Sequence, residues 1–428
     1  MIKHNDLGVR EIGFKRLVSV DEAIARFFGM GFGPVGVEVM PAERALGRAL
    51  AQDVVSRVDV PPFDRSAVDG YALKAEDTFG ASPLSPAALK VVGRIDPGQV
   101  PEVAVGGGEC AEIATGARMP EGADAVIMLE HTERVGEALK ALRPVSPFEN
   151  VSRLGEDVRK GEVALRAGRA LRAQDIGLLA SIRVGEIRVY KRPRVALMST
   201  GGELAEPFVE GVSHGGTVDT NRPMLRCLVE GCGGIPIDCG IVPDRLDAIK
   251  AALTLALKEA DIVVVSGGAS VGRADLVPKA INSLGRPGMI VHGVAMRPGK
   301  PVGLAAVGGK PIVSLPGFPV AAFLAFDVFV RPLIRRMAGL PGETRLRVRA
   351  RLKRRVSSRV GFRSFVRVRV AKEDGQYLAD PVRVTGSGIL SSMSRSNGLV
   401  IVPEDRGGLE EGEMVDVYLF SPFEIGDG

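Results

Sequence analysis

Tryptophan is absent from this sequence, and aromatic residues make up only 5% of its 428 residues. Nothing therefore points to a site that stacks nucleobases or sugars on aromatic rings. Cysteine and histidine are also scarce, with four of each. The cysteines form no C-x-x-C pair, no Cys/His spacing suits zinc, and no secretory signal suggests disulfides, so we expect free thiols. The cysteines are Cys110, Cys227, Cys232 and Cys239.

Long apolar segments are missing as well. The N-terminal segment MIKHNDLGVREIGFKRL is charged throughout and lacks the apolar core of a signal peptide. No apolar run approaches the roughly 18 residues that span a bilayer. The net charge of +5 is mild and does not demand nucleic acid as a partner. We therefore expect a soluble, cytoplasmic protein with no membrane and no nucleic acid among its partners.

Glycine is abundant instead, with 54 residues, and such a chain offers many loops whose backbone N–H groups can approach a ligand closely. The capping box of Ser19 and Glu22 predicts a helix over 20–29. AQDIGLLAS predicts a second helix over 173–181. Between these helices, residues 55–145 consist of short apolar runs separated by Gly and Pro, which predicts a β-rich domain.

The next part of the chain alternates strands with helices. RVALMST and DIVVVS are apolar strands, one helix is expected from Thr220 to Gly231, and a later amphipathic helix ends near 337. This alternation predicts parallel strands covered by helices, with ligands at the carboxyl ends of the strands. In the last part, RLRVRARL (345–352) and FVRVRV (365–370) alternate apolar and basic residues, which predicts a small β-barrel or sandwich.

Three polar stretches precede the α/β region. VDVPPFDRSAVDGYAL crowds Asp64, Ser66 and Asp69 around a turn stiffened by two prolines. Its spacing suits an Asx-turn network that closes a domain boundary, or a rigid loop that offers carboxylates to a ligand or metal. In ATGARMPEGADAV, the segment Thr115–Ala117 taken alone suits an ordinary turn, and in LGEDVRKG, Glu156 and Asp157 suit solvated residues of a turn between segments. A functional role stays open for both stretches.

The strongest physical signal follows the strand DIVVVS. In Ser266–Gly272, three glycines and two serines lie between a strand and a helix, which suits a cradle of N–H and hydroxyl donors for an anion. The segment is neither a P-loop nor a G-x-G-x-x-G motif. Carboxylates that follow strands of the same sheet suit Mg²⁺ bound together with substrate phosphates, and each also suits a helix cap. These carboxylates are Glu203, Asp219, Asp244 and Asp275.

Two cations flank a Pro-Gly turn in the segment AMRPGKPVG. Taken alone, Arg297 and Lys300 suit a solvent-facing loop. In the same domain as an anion cradle, two cations on a stiff loop favour an oxyanion clamp.

Eight motifs, in this order, resemble those of the molybdopterin molybdenumtransferase family (MoeA-type), to which the gephyrin E domain is related. They are PPFDRSAVDGYA, TGARMPEGADAV, GEDVRKG, STGGEL, VDTNRPML, SGGASVGRAD, RPGKP and LPGFPVA. The resemblance implies a multidomain protein of α/β plus β class that forms a homodimer. It implies a discontinuous helical dimerisation domain, a β-rich insert domain, a doubly wound α/β molybdopterin-binding domain and a C-terminal small β-barrel. We expect these domains at residues 15–54 with 146–190, 55–145, 191–340 and 341–428, respectively.

The resemblance also implies a reaction, in which molybdate is inserted into adenylylated molybdopterin with release of AMP and the help of Mg²⁺. The catalytic carboxylates that it implies are Asp64, Asp157, Glu203, Asp244 and Asp275, with Asp244 and Asp275 as metal ligands. The implied substrate-binding residues are Ser66, Thr115, Gly116, Asp219, Asn221, Ser266, Gly267, Gly268, Ser270, Gly272, Pro316 and Gly317. The implied molybdate contacts are Arg297, Lys300, Pro301 and Arg367. The implied partners are a molybdopterin adenylyltransferase and the enzymes that receive the cofactor.

The sequence departs from the family pattern at several positions. Arg65 stands where Asn is usual, Gly202 replaces Asp, and Arg297 replaces Lys. Phe318 replaces Asn and Ala321 replaces Ser, which removes two hydrogen-bonding groups near the pterin or metal end. These departures leave open a non-catalytic paralogue or scaffold that holds molybdopterin, a tungstate-preferring version, and another nucleotide-dependent transferase on the same fold. Retention of all five acidic positions favours the enzyme.

Overall fold

The computed structural model describes residues 17–209, 216–267, 276–383 and 386–420. Its first helix is Val20–Phe28, and the Oγ of Ser19 caps it by accepting a hydrogen bond from the N–H of Glu22 at 3.2 Å. The predicted helix and its cap are therefore confirmed. The apolar face of this helix, which includes Phe27, is buried against the strand Gly303–Val307 and its neighbours. The first helix thus packs on the α/β part of the molecule.

A separate small core lies around the helix Ala173–Ser181, which was predicted at the same residues. This helix packs beside a single 3₁₀ turn, Ala42–Arg44. The strands of this region pair antiparallel: Val37–Pro41 with Glu186–Tyr190, and Val54–Val55 with Val163–Leu165. Leu50, Leu179 and Val189 form its buried centre. The two helices predicted at 20–29 and 173–181, both within the implied dimerisation domain, therefore belong to different cores of the chain.

A six-stranded mixed sheet forms the β-rich region. In order across the sheet, its strands are Ala125–Met128, Gly70–Leu73, Glu109–Ile113, Ala87–Ile95, Ala138–Ala141 and Thr132–Val135. Short 3₁₀ turns occur at Ala75–Thr78 and Leu129–His131. Successive residues of one strand face opposite sides, so Leu73 joins one core and Ala72 the other. The β-rich character predicted for residues 55–145 is confirmed.

A second six-stranded sheet forms the centre of the α/β region. In order, its strands are Ile235–Val242, Arg194–Thr200, Ile262–Ser266, Lys310–Leu315, Gly303–Val307 and Pro287–His292. The first four are parallel, as predicted, but Gly303–Val307 runs antiparallel to both of its neighbours, so the expectation of parallel strands is wrong at this edge. Gly308 and Gly309, with φ of 58° and 79°, form a two-residue turn that makes two neighbouring strands a hairpin. A short parallel pair, Leu204–Ala205 with Thr217–Val218, also occurs in this region.

The helices of this region are Asn221–Gly231, Leu246–Glu259, Leu276–Leu284, Pro319–Ala325 and Arg331–Met337. A π-helical turn, Phe326–Val330, interrupts the helix predicted to end near 337. Pro332 follows this turn, and because proline has no backbone N–H it cannot donate to the carbonyl four residues before it. Asp327, in the π turn, forms an ion pair with Arg345, the first residue of the segment RLRVRARL. In the described part of the chain, no helix is long and apolar enough to cross a membrane.

The ends of the helix Asn221–Gly231 differ from the prediction. Asp219, rather than Thr220, supplies the N-terminal cap, because its Oδ1 accepts from the N–H groups at the start of the helix at 3.1 and 3.2 Å. Gly231 still belongs to the helix, and the glycine with positive φ that follows the helix is Gly233, at 90°.

The C-terminal part is a closed five-stranded barrel. Its strands are Arg347–Leu352, Arg363–Glu373, Gln376–Arg383, Gly398–Val402 and Met414–Leu419, with a short pair Val356–Ser357 and Gly408–Leu409 and a helix Ser391–Ser394. The alternation over 365–370 predicts a half-buried strand, but residues 364–368 are buried on both faces. Phe365 packs into the core of the α/β region, which explains the second buried face. An extra strand, Met296–Arg297, pairs parallel with Arg363–Glu373 and joins the two regions.

Candidate active site

The first predicted stretch forms a loop network in which carboxylates accept backbone hydrogen bonds. Asp64 Oδ1 accepts from the N–H of Leu154 at 2.6 Å. Asp69 accepts from the N–H and the hydroxyl of Thr115 at 2.7 and 2.9 Å. The backbone bond and then the hydroxyl bond lower the pKa of Asp69. These hydrogen bonds connect the loop to the stretches ATGARMPEGADAV and LGEDVRKG, which agrees with the interpretation of the loop as a turn network.

Ser66 and Gly116 join this network through their backbones. Ser66 pairs with Val151 in a short antiparallel ladder, and its carbonyl accepts from the N–H of Gly116 at 2.8 Å. The N–H of Asp157 donates to the carbonyl of Val60 at 3.0 Å, and Asp157 itself is exposed. The structure thus places Asp64, Ser66, Thr115, Gly116 and Asp157 on neighbouring loops.

A second group of predicted residues meets at the carboxyl ends of the parallel strands. Asn221 Nδ2 donates to Ser266 Oγ at 2.7 Å and to the carbonyl of Gly317 at 2.8 Å. Asp219, Asn221 and Ser266 are all buried. The side-chain amide of Asn221 therefore connects the start of its own helix with the end of one strand and with the turn that follows another strand.

Several side-chain oxygens at this end of the sheet are buried and accept no hydrogen bond from any described residue. They are Ser199 Oγ, Thr200 Oγ1, Asn221 Oδ1 and Ser314 Oγ. Buried polar atoms in proteins normally have partners, so these oxygens require groups from outside the described residues. The sequence analysis missed the three hydroxyls, although each stands at or near the end of an apolar strand followed by glycine or proline.

Gly267 brings its backbone against a neighbouring strand end. Its φ is 93°, and a Cβ at this position would lie 2.4 Å from the carbonyl oxygen of Thr200. Only glycine satisfies both conditions. A Cβ on Gly317 would in turn lie 3.8 Å from the Cα of Gly267, so the two predicted glycines are neighbours. The other predicted residues of the cradle, Gly268, Ser270 and Gly272, lie outside the described residues with Asp275.

A buried ion-pair network that the sequence analysis missed holds the same end of the sheet. Arg222 is 5% exposed, and its guanidinium pairs with Asp219 at 3.3 Å, with Asp238 at 3.0 Å and with Glu206. A buried arginine is stable only when its charge is paired and hydrogen-bonded. The one sequence signal was the spacing of three residues between Asp219 and Arg222, which also occurs on solvated helix faces.

Two predicted carboxylates are exposed. Asp244 follows the edge strand Ile235–Val242, and Glu203 follows the adjacent strand, Arg194–Thr200. No group of three Asp, Glu, His or Cys residues that could hold a metal occurs in the described ranges. A metal site at this edge therefore needs ligands from the remaining residues or from the substrate.

A cavity of about 640 Å³ lies where the α/β region meets the barrel. Its lining includes the four residues predicted to contact molybdate, Arg297, Lys300, Pro301 and Arg367, together with Pro316. Arg367 is only 2% exposed, so its charge is held inside the protein. The pairing of Met296–Arg297 with the barrel strand fixes the position of the clamp loop against that strand. No Asp or Glu occurs among the described residues that line the cavity.

The cavity also contains residues that the sequence analysis treated as departures or missed. Phe318 and Ala321 line it, with Phe318 63% exposed and Ala321 buried, so neither position supplies a polar side chain. Arg65 and Gly202 are exposed elsewhere on the chain. Several polar lining residues from the barrel were missed because their local sequence has the composition of an ordinary surface. They include Ser357 and Ser364, which lie in strands, and Ser358 and Arg359 in the loop between those strands.

The central sheet, its glycine-rich strand ends and the cation-lined cavity define an α/β protein whose site lies at the carboxyl ends of parallel strands. A family model described as "Probable molybdopterin binding domain" matches residues 196–336. Models described as "MoeA N-terminal region (domain I and II)" and "MoeA C-terminal region (domain IV)" match residues 18–182 and 349–420. The chain belongs to the MoeA family of molybdopterin molybdenumtransferases.

Relatives match along most of the chain. The molybdopterin molybdenumtransferase of Staphylococcus aureus (strain COL) is 32% identical over 406 residues, which is 94% of this chain and 95% of the relative. The molybdopterin molybdenumtransferase 2 of Mycobacterium tuberculosis is 34% identical over 383 residues, 89% of this chain and 94% of the relative. A crystal structure of a molybdopterin biosynthesis MoeA protein from Pyrococcus horikoshii is 37% identical with a TM-score of 0.82, covering 95% of this chain and 100% of that chain.

Proposed function

We propose that this chain inserts molybdate into adenylylated molybdopterin and releases AMP. As a member of its family, it is a transferase of molybdenum cofactor biosynthesis. The observation that carries the specific reaction is the cavity, which gathers Arg297, Lys300 and Arg367 without an acidic side chain among its described lining residues. A tetrahedral dianion needs such fixed positive charge in order to leave water.

The proposed reaction exchanges two sets of bonds. A water molecule attacks the adenylyl linkage, its oxygen forms a bond to phosphorus, and the phosphoanhydride bond breaks so that AMP leaves. The two thiols of the pterin form two Mo–S bonds, and their protons leave with one molybdate oxygen as water. Donors that are already in place stabilise the charge that develops, so no side chain has to act as a covalent nucleophile.

We infer that Mg²⁺ binds at the exposed sheet edge, where Asp244 and Asp275 are the proposed protein ligands. Mg²⁺ prefers oxygen ligands and is commonly held by one or two carboxylates together with substrate phosphates, which fits Asp244 as an exposed carboxylate. Bound there, the ion would neutralise phosphate charge. Asp64, Asp157 and Glu203 are proposed to act on the same substrate from the neighbouring loops.

We also propose that the protein works as a homodimer in the cytoplasm, between a molybdopterin adenylyltransferase and the enzymes that receive the cofactor. The proposed interface includes the exposed faces of the helices Val20–Phe28 and Ala173–Ser181, whose other faces are buried within the chain. Light scattering at micromolar concentration tests the dimer, and a monomer would contradict it.

One experiment tests the proposed reaction. The protein is incubated with adenylylated molybdopterin and molybdate, or tungstate in a parallel series, and AMP release and metal incorporation are measured. A second candidate, a scaffold that only binds the adenylylated pterin, is favoured by the apolar residues Phe318 and Ala321 in the cavity. It predicts tight binding of the pterin without AMP release. Preference for tungstate would appear as a lower half-saturating concentration of that ion.

A further inference from the structure

An ion-pair network joins the first helix of the chain to the barrel. Arg363, which begins a barrel strand, donates through Nη1 and Nη2 to the two carboxylate oxygens of Asp21, at 2.9 and 2.8 Å. The same guanidinium pairs with Glu404 of the barrel at 2.9 Å. Asp21 lies in the first turn of the helix Val20–Phe28, whose apolar face packs on the α/β region. The network therefore spans the boundary between the α/β region and the barrel.

The segment that leads into the strand Met296–Arg297 lies between the two elements that this network joins. The N–H of Ala295 donates to the carbonyl of Val18 at 2.8 Å, just before the first helix. The carbonyl of Ala295 accepts from the N–H of Arg363 at 2.9 Å. Ala295 is thus bonded on both sides, and the side chains of Asp21 and Arg363 connect the same two elements. A shift of the barrel against the first helix would displace this segment.

Met296 connects this junction with the clamp loop, residues 297–301. Met296 stands opposite Arg363 in the paired strands, and its side chain is buried. A Cβ at Gly299 would lie 2.8 Å from the Cε of Met296, so the loop packs directly on this side chain. Gly299 stands between the two clamp cations in the chain. The position of these cations therefore depends on the position of Met296.

Charge strengthens the contact between Arg363 and Asp21. The Arg363 side chain is 22% exposed, whereas Asp21 is 73% exposed. The hydrogen bonds from Arg363 lower the pKa of Asp21, and the same bonds raise the pKa of Arg363. Both groups are therefore charged at neutral pH. Two parallel hydrogen bonds between planar groups fix their mutual orientation, which a single bond from an ammonium group does not.

We propose that Arg363 is a positioning residue of the reaction, which acts through Met296 to hold the clamp loop where molybdate binds. This assignment rests on the proposed function, because it takes the clamp cations to hold molybdate. Arg363 is outside the described lining of the cavity, whereas Met296 belongs to it. By pairing with Asp21 of the first helix and Glu404 of the barrel, Arg363 fixes the distance between the two regions that enclose the cavity.

A kinetic measurement separates positioning from general stability. In molybdate titrations of metal incorporation, we expect Arg363→Ala to raise the half-saturating molybdate concentration roughly tenfold, because a small displacement of a binding group is costly. The KM for adenylylated molybdopterin should stay unchanged. Asp21→Asn should shift the molybdate requirement in the same direction, and the double variant should be no worse than Arg363→Ala alone, since both changes remove the same paired bonds. Arg363→Lys should recover part of the loss.

The matched control is Arg406→Ala. Arg406 makes the same kind of paired hydrogen bonds, to Glu413 at 2.6 and 3.0 Å, but entirely within the barrel. We expect its molybdate requirement to equal that of the wild type. An unchanged requirement in Arg363→Ala, an equal rise in the KM for the pterin, or the same shift in Arg406→Ala would overturn the proposal. If Arg363→Ala does not fold, Asp21→Asn at its exposed position carries the same test.

Hydrogen–deuterium exchange tests the junction without the reaction. The full chain is exchanged, and a peptide that covers residues 294–301 is followed by mass spectrometry. We expect faster exchange of this peptide in Arg363→Ala than in the wild type or in Arg406→Ala, because the junction opens more readily. Equal exchange in all three proteins would contradict the proposal. If the wild-type protein incorporates no metal, the proposed function fails, while the exchange result still decides whether Arg363 holds the clamp loop.

Discussion

Asn221 Nδ2 lies 2.7 Å from Ser266 Oγ and donates a hydrogen bond to it, although the two residues are 45 positions apart in the chain. The same nitrogen donates to the carbonyl of Gly317 at 2.8 Å. Asn221 thus connects three chain segments at the place where a parallel sheet presents its ligand. Its Oδ1 is buried and accepts no hydrogen bond from a described residue, so the amide still has an acceptor to offer.

Replacing Asn221 by alanine should weaken both the fold and substrate binding. Two buried hydrogen bonds are lost, and we expect the free energy of unfolding to fall by about 1–3 kcal/mol. The affinity for adenylylated molybdopterin should fall at least about tenfold, since the strand ends are no longer tied together. Denaturant unfolding and a binding titration measure the two effects.

The control for this variant is Asn397→Ala. Asn397 also makes two side-chain bonds to a backbone, at 2.7 and 2.9 Å to Val370, but within the barrel. We expect a similar loss of stability with wild-type affinity for the pterin. Equal loss of binding in both variants would show that Asn221 acts only through general stability.

Lys300 should be the main molybdate contact and Arg297 a secondary one. Lys300 precedes Pro301, which restricts its backbone and fixes the starting direction of its side chain. A guanidinium fork suits planar carboxylates or phosphates better than a small tetrahedral ion. We expect Lys300→Ala to raise the molybdate concentration needed for insertion while the pterin stays bound, and Arg297→Lys to be tolerated. A molybdate titration in which Lys300→Ala behaves as wild type, or Arg297→Lys loses activity, contradicts this ranking.

Asp244→Asn and Asp275→Asn should impair AMP release much more than binding of the adenylylated pterin. An amide keeps the shape of the carboxylate but is a weaker ligand for Mg²⁺. The measurement is the rate of AMP release as a function of Mg²⁺ concentration in each variant. Wild-type rate and Mg²⁺ dependence in either variant would exclude that residue as a metal ligand.

Arg222→Met should destabilise the protein strongly. It leaves the Asp219 carboxylate, whose side chain is 2% exposed, without its buried cation, and we expect a loss of about 3–5 kcal/mol. Arg226→Met on the same helix is the matched control, because Arg226 is exposed and pairs with Glu230 at 3.5 Å. That variant should lose less than about 1 kcal/mol. Similar melting temperatures for the two variants would count against a structural role of the buried network.

The hydrogen bonds that Thr115 donates to Asp69 should weaken in acid. The hydrogen bonds from Thr115 lower the pKa of Asp69 below the ordinary 3.8, so their contribution to stability is present above 3.8 and is lost as the pH falls through the lowered pKa. We expect Asp69→Asn to melt below the wild type at neutral pH and the difference to shrink once the pH falls below about 3.8. Thermal melts of both proteins over this range provide the test, and a difference that grows in acid contradicts it.

The sequence predicted those features that depend on local pattern. The Ser19 cap, the helix Ala173–Ser181 and the parallel strands all follow from spacing within one segment. The reversed strand at Gly308–Gly309 was missed because two glycines between apolar runs also suit an ordinary loop. The buried charge of Arg222 depends on partners 16 residues away on both sides, which no local pattern reveals.

For the candidate site, the sequence predicted the motif residues but not the residue that the barrel loop contributes. Motif residues such as Asn221 and Ser266 are in contact, and the clamp residues Arg297 and Lys300 share one cavity. Arg359 was missed because the barrel loop that carries it has the composition of a solvated surface. Its place in the cavity depends on the docking of the barrel against the α/β region, which is a long-range relationship.

The strand Met296–Arg297 belongs to the α/β region by sequence and to the barrel by pairing, since Arg297 stands beside Ser364. Consider a hybrid protein in which the barrel of a relative is joined at the linker after Leu340. In that hybrid, the native strand Met296–Arg297 would have to pair with a barrel strand of different sequence. Residues 295–301 would therefore have to be exchanged together with the barrel for the hybrid to keep a matched cavity. The boundary at which these two parts can be recombined does not coincide with the linker that joins them.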